Sequence, residues 1–315
     1  MLENCDEFKV KFHGVRGSHT VCSNNTLKYG GNTSCVELRV NGHIIIIDAG
    51  SGIIELGREL VKNYIASGTR ESSRIPINAT ILFSHTHYDH ICGIPFFKPA
   101  YINTSCINIF GPDNDNDNFE QILTNFVSAP YFPVNFDKIA ANANVHSFKP
   151  IETILLHSGS AAPDVKQLSY KEINEISDDT VIITCIKSKA HPNNGVLIFK
   201  ISFKGHSIVY SSDIEGYVGG DIKLTNFARN SDILIHDSQY IYEDYASTIA
   251  SKQGYGHSTP EMAAEVAKLA NVKQLILYHF DPAYNDDLID TMENNTKKYF
   301  ANSIAAREGL EISLL

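Results

Sequence analysis

Apolar residues along the chain fall into short blocks, some with a period of two and some with the spacing of a helix. Residues 8–12, 35–40 and 43–48 alternate or run apolar and are rich in β-branched side chains, which predicts three strands. Asn41-Gly42 between the last two is a strong two-residue hairpin signal. Past Ser51-Gly52 the apolar spacing becomes helical over 53–66. Buried strands follow at 79–83 and 107–110. The Asp/Asn run at 113–118 reads as a surface loop ahead of a helix at 119–127. Pro130 and Pro133 break regular structure, so 130–134 is expected as an extended loop. Strands resume at 181–186, 196–203 and 206–210, the last two joined at Lys204-Gly205, and again at 233–236 and 274–278. Thr259-Pro260-Glu261 starts a helix over 259–270, and a last helix is expected at 285–302. Hairpin signals beside strand–helix–strand units predict an α/β fold with helices outside the sheets.

Composition sets bounds on this picture. At 315 residues, 43% hydrophobic and 20% charged, the chain reads as soluble and globular. With no internal repeat or long linker, one domain over 1–315 is expected, with 111–180 as an insertion or loop region near the active site. No run approaches 18 apolar residues, so no membrane span is predicted. The first ten residues carry Glu3, Asp6 and Glu7 and lack an apolar core, which argues against a signal peptide and for a cytoplasmic location. Six cysteines without Cys-x-x-Cys spacing then read as reduced thiols. A net charge of −10 works against loose binding to a phosphate backbone.

The chemistry concentrates after strands. His85, His87, Asp89 and His90 lie within six residues directly after a buried strand. Imidazole and carboxylate are the ligands that zinc and similar divalent metals prefer. His191, Asp213 and His279 each follow a later predicted strand, where loops gather on one sheet edge. They supply three further ligands, enough to complete two metal sites.

His85-Thr86-His87-Tyr88-Asp89-His90 resembles the His-x-His-x-Asp-His signature of the metallo-β-lactamase superfamily, and Ile47-Asp48-Ala49-Gly50-Ser51-Gly52 resembles its Asp-containing turn. The resemblance spans roughly residues 8–290 and implies the four-layer αβ/βα sandwich of that superfamily. It implies that His85, His87 and His191 bind one metal, that Asp89, His90 and His279 bind a second, and that Asp213 bridges them. Asp48 would orient ligands without binding metal. The two ions would be divalent, zinc foremost and manganese as the other choice.

Further segments point to the phosphodiesterase branch. Phe12-His13-Gly14-Val15-Arg16-Gly17-Ser18 and Gly30-Gly31-Asn32-Thr33-Ser34-Cys35 are similar to loops of that branch. Ile235-His236-Asp237-Ser238 and Gly256-His257-Ser258-Thr259 resemble paired segments of tRNase Z and its relatives, with Asp237 standing where that pattern usually has Glu. The candidate catalytic residues are therefore His257, Asp237 and Asp89. The implied reaction is attack on a phosphodiester by a hydroxide held between the metals, with His257, oriented by Asp237, protonating the leaving group. The tRNase Z family grips tRNA with a glycine-rich basic arm, and 111–185 has no arginine and no such segment. The substrate expected is thus a small cyclic nucleotide, as for homodimeric phosphodiesterases of this superfamily, with large nucleic acid disfavoured. The Tyr131–Phe132 loop would then stack on a base near a partner's site. A tRNase Z-like RNA-processing endonuclease, or a catalytically silent metal-binding sensor of the same fold, are the alternatives.

Overall fold

The computed structural model describes residues 6–139, 143–217 and 219–315. The acidic start at Glu3 and the thiol of Cys5 lie outside the described residues. Two mixed sheets are built largely in chain order. The first takes β1 (Phe8–Gly14), β2 (Cys35–Val40), β3 (His43–Ile47), β4 (Asn78–Leu82), β5 (Cys106–Gly111) and β6 (Ala143–Ser147) side by side. The second uses β7 (Thr153–His157), β8 (Asp164–Lys166), β9 (Thr180–Ser188), β10 (Val196–Phe203), β11 (His206–Ser211), β12 (Ile233–Asp237), β13 (Gln274–Tyr278) and β14 (Ser303–Ala305). Its order is β14-β13-β12-β11-β10-β9-β7-β8, and β15 (Glu311–Ser313) returns to pair with β1.

Alternation explains the packing. In β9, Val181, Ile183 and Cys185 are buried while Ile182, Thr184 and Ile186 on the other face are only half-buried. The inward residues of both sheets share one apolar cluster, bridged by ring contacts between Phe12 and Tyr278 and between Phe148 and Phe199. Fully burying each such side chain contributes about 1.5–3 kcal/mol. The outer face of the first sheet packs on α1 (Ile53–Ala66), α2 (Tyr88–Ile91), α3 (Phe119–Phe126) and α4 (Phe136–Ile139), whereas α5 (Tyr170–Asn174) lies beside β9 and β10 of the second sheet. The second sheet is covered after α6 (Ile222–Phe227) and α7 (Tyr242–Tyr245) by α8 (Pro260–Leu269) and α9 (Asp286–Thr296). The layers are thus helix, sheet, sheet and helix, the four-layer αβ/βα sandwich.

Local signals are met where chemistry is explicit. Asn41 (φ 50°) and Gly42 (φ 77°) make the tight turn between β2 and β3. The Thr259 side chain accepts the Met262 N–H and caps α8, with Pro260 in its first turn. Elsewhere the structure differs from expectation. Residues 130–134 are not extended, because Tyr131 and Phe132 both donate N–H to the Ser128 carbonyl and close a turn. Phe132 packs edge-on against Phe96, which leaves Tyr131 exposed. The last helix ends at Thr296 and not near 302: Lys297 is its C-cap, and the chain must straighten for β14 to pair with β13. Residues 111–180 supply three strands that edge both sheets. The five cysteines among the described residues are free thiols. No helix among the described residues is long and apolar enough to cross a membrane.

A buried polar pair fixes the end of β1. His13 Nε2 lies 2.8 Å from Glu37 Oε2, and Arg39 reaches Glu37 Oε1 at 2.7 Å. Burial alone would raise the Glu37 carboxyl, but the His13 hydrogen bond and the Arg39 charge outweigh it and lower it. A carboxyl depressed on folding stabilises above its unfolded value of about 4.3 and loses that contribution as pH falls through the lower folded value. Glu37→Gln should therefore melt below wild type at neutral pH, by an amount on the order of 1–3 kcal/mol. The gap should close in thermal melts as pH drops through the acidic range, and a gap independent of pH would contradict this assignment.

Candidate metal centre

The strands β3, β4, β9, β11, β12 and β13 run out on one edge, and the polar residues at or just past their ends face one another. Asp48 follows β3, His85 follows β4, His191 follows β9, Asp213 follows β11, Asp237 ends β12 and His279 follows β13. Asp48 (φ 61°), Asp213 (φ 55°) and His279 (φ 66°) all hold left-handed backbone. That conformation costs a non-glycine residue on the order of 1–3 kcal/mol and persists only where neighbours enforce it. Asp89 and His90 sit in the single helical turn α2.

The ligand atoms cluster in two linked groups. His85, His87, His191 and Asp213 form one, Asp89, His90 and His279 the other, each with atoms within 4.8 Å of one another. Asp213 stands between them. Its Oδ1 is 3.6 Å from His85 Nε2 and 3.9 Å from His191 Nε2, and its Oδ2 is 3.1 Å from His90 Nε2 and 3.3 Å from His279 Nε2. A third overlapping group joins Asp213, His257 and His279.

Partners outside the cluster fix which ring nitrogens face in. His90 Nδ1 meets Asp48 Oδ2 at 2.8 Å, His191 Nδ1 the Gly256 carbonyl at 3.0 Å and His279 Nδ1 the Gln239 Oε1 at 2.9 Å. His85 Nδ1 meets Ser84 Oγ at 3.1 Å, and that hydroxyl donates in turn to Asp48. Each outer partner accepts a proton from Nδ1, which leaves Nε2 as a lone pair directed inward. Inside, His191 Nε2 and His87 Nδ1 are 3.0 Å apart, His90 Nε2 and His279 Nε2 are 3.2 Å apart, and His85 Nε2 is buried without a hydrogen-bond partner. Buried lone pairs that face each other are costly unless a positive centre lies among them. A nitrogen-rich set with shared carboxylates suits zinc or a similar divalent ion, so the residues fit metal.

Electrostatics agree with that fit. Burial, then the neighbouring imidazole of His90, lowers His85 well below its usual value, and burial lowers His87 and His191, which keeps these rings neutral as ligation requires. At His90 burial alone would do the same, but the carboxylates of Asp213, Asp89 and Asp48 outweigh it and raise it well above the usual value. Three carboxylates thus draw positive charge, proton or cation, to this point.

Asp48 is the hub of the outer contacts. It accepts from Ser84 N–H at 2.8 Å, the Ser84 hydroxyl, His90 Nδ1 and the Tyr210 hydroxyl at 2.7 Å. Asp48→Asn should lower metal affinity about 10–100-fold while the chain stays folded. Competition with a chromophoric chelator reads this directly, and an unchanged affinity would remove Asp48 from the account.

A second pair adjoins the cluster. Asp237 is fully buried, and its Oδ2 accepts from His257 Nδ1 at 2.8 Å and from Asp213 N–H at 3.1 Å. Its Oδ1 accepts from Ser258 N–H at 2.8 Å and Gln239 N–H at 3.1 Å. The shorter Asp237, standing where the related pattern has Glu, therefore reaches His257. The His257 ring stacks on that of His279 with centroids 5.2 Å apart. Glu215 pins the loop that carries His257, accepting from Tyr245 Oη, Gly254 N–H and Gly256 N–H. Gly256 (φ 86°) allows that loop to pass His191, since a Cβ there would lie 2.3 Å from His191 Nδ1.

The segment His13–Ser18 braces the far side. Arg16 is buried and donates to the carbonyls of Gly30, Asp281 and Tyr284. Ser18 N–H donates to Asp89 Oδ2 at 2.7 Å, and Gly17 lies so close to His279 that a Cβ would be 2.5 Å from its ring. Ser84, Tyr210, Glu215 and Gln239 were not visible as site residues in the sequence. Each is a single polar residue whose role depends on a partner far along the chain.

With this geometry in hand, comparison with known proteins assigns the class. A model of the beta-lactamase superfamily domain matches residues 43–280. The chain belongs to that superfamily. It is similar to ribonuclease Z of Picrophilus torridus, 27% identical over 98% of this chain and 96% of that protein. In fold it is similar to the metallo-beta-lactamase fold protein YhfI from Bacillus subtilis, with a TM-score of 0.65 and 19% identity over 98% of this chain and 100% of that one. The Zn(2+)-bound PqqB from Methylobacterium extorquens also shares the fold, with a TM-score of 0.65 and 15% identity over 97% of this chain and 100% of that one.

Proposed function

We propose that the chain is a metal-dependent phosphodiesterase that cleaves RNA. His85, His87 and His191 hold one divalent cation, Asp89, His90 and His279 a second, and Asp213 is shared between them. The observation that carries the reading is the Asp237–His257 pair, in contact at 2.8 Å and set against the ligand cluster. Support for RNA comes from the near full-length similarity to a protein named ribonuclease Z. That similarity outweighs the small cyclic nucleotide expected from the sequence. Divalent cations, zinc or manganese, would lower the pKa of a bound water and offset charge on the non-bridging phosphate oxygens.

The chain's own residues do the rest. Asp48, Gln239, Ser84 and the Gly256 carbonyl hold the imidazoles in one tautomer. Asp89 is held by the Ser18 N–H and faces His279 Nε2 at 3.1 Å. Burial alone would lower the His257 imidazole, but the Asp237 carboxylate outweighs it and pushes it up to about 9. That carboxylate favours the form of the ring with a proton on each nitrogen. Nδ1–H stays on Asp237, and Nε2–H is the proton available to the departing alkoxide.

A small cyclic nucleotide remains the second reading on one observation. The chain carries net charge −10 and has no arginine between residues 111 and 185, a poor grip for a long phosphate backbone. Metal-loaded protein assayed against a precursor tRNA and against 3′,5′- and 2′,3′-cyclic nucleotides separates the two. The RNA reading expects precursor cleavage whose affinity falls steeply between about 50 and 200 mM salt. Cyclic-nucleotide turnover without precursor cleavage would overturn it in favour of the second reading. Full metal content with no turnover of either would point to a silent sensor.

A further inference from the structure

A cavity of about 750 Å³ lies behind the second sheet, within the range of roughly 300–1,000 Å³ typical of small-molecule sites. Its floor is the outward face of β9 and β10, where Ile182, Thr184, Lys200 and Ser202 point away from the core. Its roof is Tyr170 and Ile173 of α5, with Ile176 just beyond, and Phe227 at the end of α6 closes one side.

This cavity is separate from the metal centre. Lys200 pairs with Thr184, four residues along the strands from the pair Val196–Ser188. That first pair marks the metal edge, since Leu197 N–H bonds the Ser84 carbonyl and Ser188 Oγ accepts the Ala190 N–H next to His191. Four residues of strand place Lys200 about 13 Å back from that edge.

The floor is unusual for a sheet face roofed by a helix, which is ordinarily apolar. It presents hydroxyls from Thr184 and Ser202 around a half-buried ammonium. Lys200 Nζ donates to one neutral acceptor, the Phe227 carbonyl at 3.3 Å, and forms no ion pair among the described residues. Burial lowers its pKa, and the charge of Asp232 offsets this only in part. Lys204 on the same rim is different, since Asp6 at 2.5 Å and Asp179 at 3.8 Å already neutralise it. Arg229, also at the mouth, donates to the neutral Asn226 Oδ1 at 3.0 Å and forms no ion pair among the described residues. Two cations that form no ion pair among the described residues, the Thr184 and Ser202 hydroxyls, and a lining of mixed polarity that also carries Glu152 and Asp178 define a complementary ligand. It has one anionic head and a flat, largely apolar body, with the phenol of Tyr170, 81% exposed, free to cover that body.

We propose that this cavity is a second ligand site, taking a small organic anion of nucleoside monophosphate size with its anionic group on Lys200. The site is independent of the reaction proposed above. Isothermal titration of metal-loaded protein with the four common nucleoside 5′-monophosphates, and with inorganic phosphate, tests it. At least one nucleotide should bind saturably, one per chain, and more tightly than phosphate. Lys200→Met should weaken that binding about 10–100-fold, the effect of removing a charged hydrogen bond, with hydrolysis of a generic activated diester unchanged. Thr184→Val, which keeps every charge, should weaken it less. Asp213→Ala, which damages the metal centre, should leave it intact. Absence of nucleotide binding, or binding lost in Asp213→Ala but kept in Lys200→Met, would overturn the proposal.

Discussion

Asp213→Ala should be the most damaging single change in the protein, removing metal and activity together. Asp213 is fully enclosed, and its two oxygens face imidazoles of both ligand groups at 3.1–3.9 Å. Its loss leaves His85, His90, His191 and His279 with inward lone pairs and one carboxylate, Asp89, to balance any cation. A shared metal pair supplies several kcal/mol of charge stabilisation to a phosphoryl transition state, so the rate on an activated diester should fall at least ~10³-fold. Metal content measured on the same sample should fall with it, while circular dichroism stays native. Wild-type metal content with an undiminished rate would show that Asp213 is not shared between cations.

The second large effect is expected at His257, with the opposite signature. His257→Ala removes the proton donor and leaves the seven ligands in place, so the rate should drop ~10²–10⁴-fold while metal content is retained. The sign with pH follows from the Asp237 carboxylate, which pushes the His257 imidazole up to about 9. The protonated ring is the active form, so kcat of the wild type falls as pH rises through that value, and bound cations shift the fall toward neutral. Asp237→Asn removes the charge and should move the alkaline limb to lower pH. Substrates with a good leaving group, which need no proton, should be nearly insensitive to the His257 change. Loss of metal in His257→Ala would instead assign that residue to the third ligand group, with Asp213 and His279.

Legibility of the sequence followed the range of the interaction. The strands β2, β3, β4, β9, β10 and β11 could be read because they are apolar blocks rich in β-branched residues, alternating in β9 and continuous in β3, and because the turns Asn41-Gly42 and Lys204-Gly205 carry their own backbone signal. β6 reads as polar in Ala143–Ser147, and β14 and β15 have three residues each, so nothing local marks them; their partners do. The candidate ligands stood out because their residue types are rare at such density, and because strand ends collect on one edge. Ser84, Tyr210, Glu215 and Gln239 act through partners far along the chain, 162 positions away for Tyr210 on Asp48, and no local pattern announces that. The 130–134 turn was missed because prolines exclude helix and strand without choosing among the irregular forms.

The central claim is that buried imidazoles and carboxylates at one sheet edge hold two cations. The most direct measurement is metal content per chain, by inductively coupled plasma mass spectrometry, after equilibration with zinc or manganese and removal of free ion. The account predicts about two equivalents for the wild type and fewer than one for Asp213→Ala. A wild-type chain that retains no metal under conditions where it is folded would contradict it.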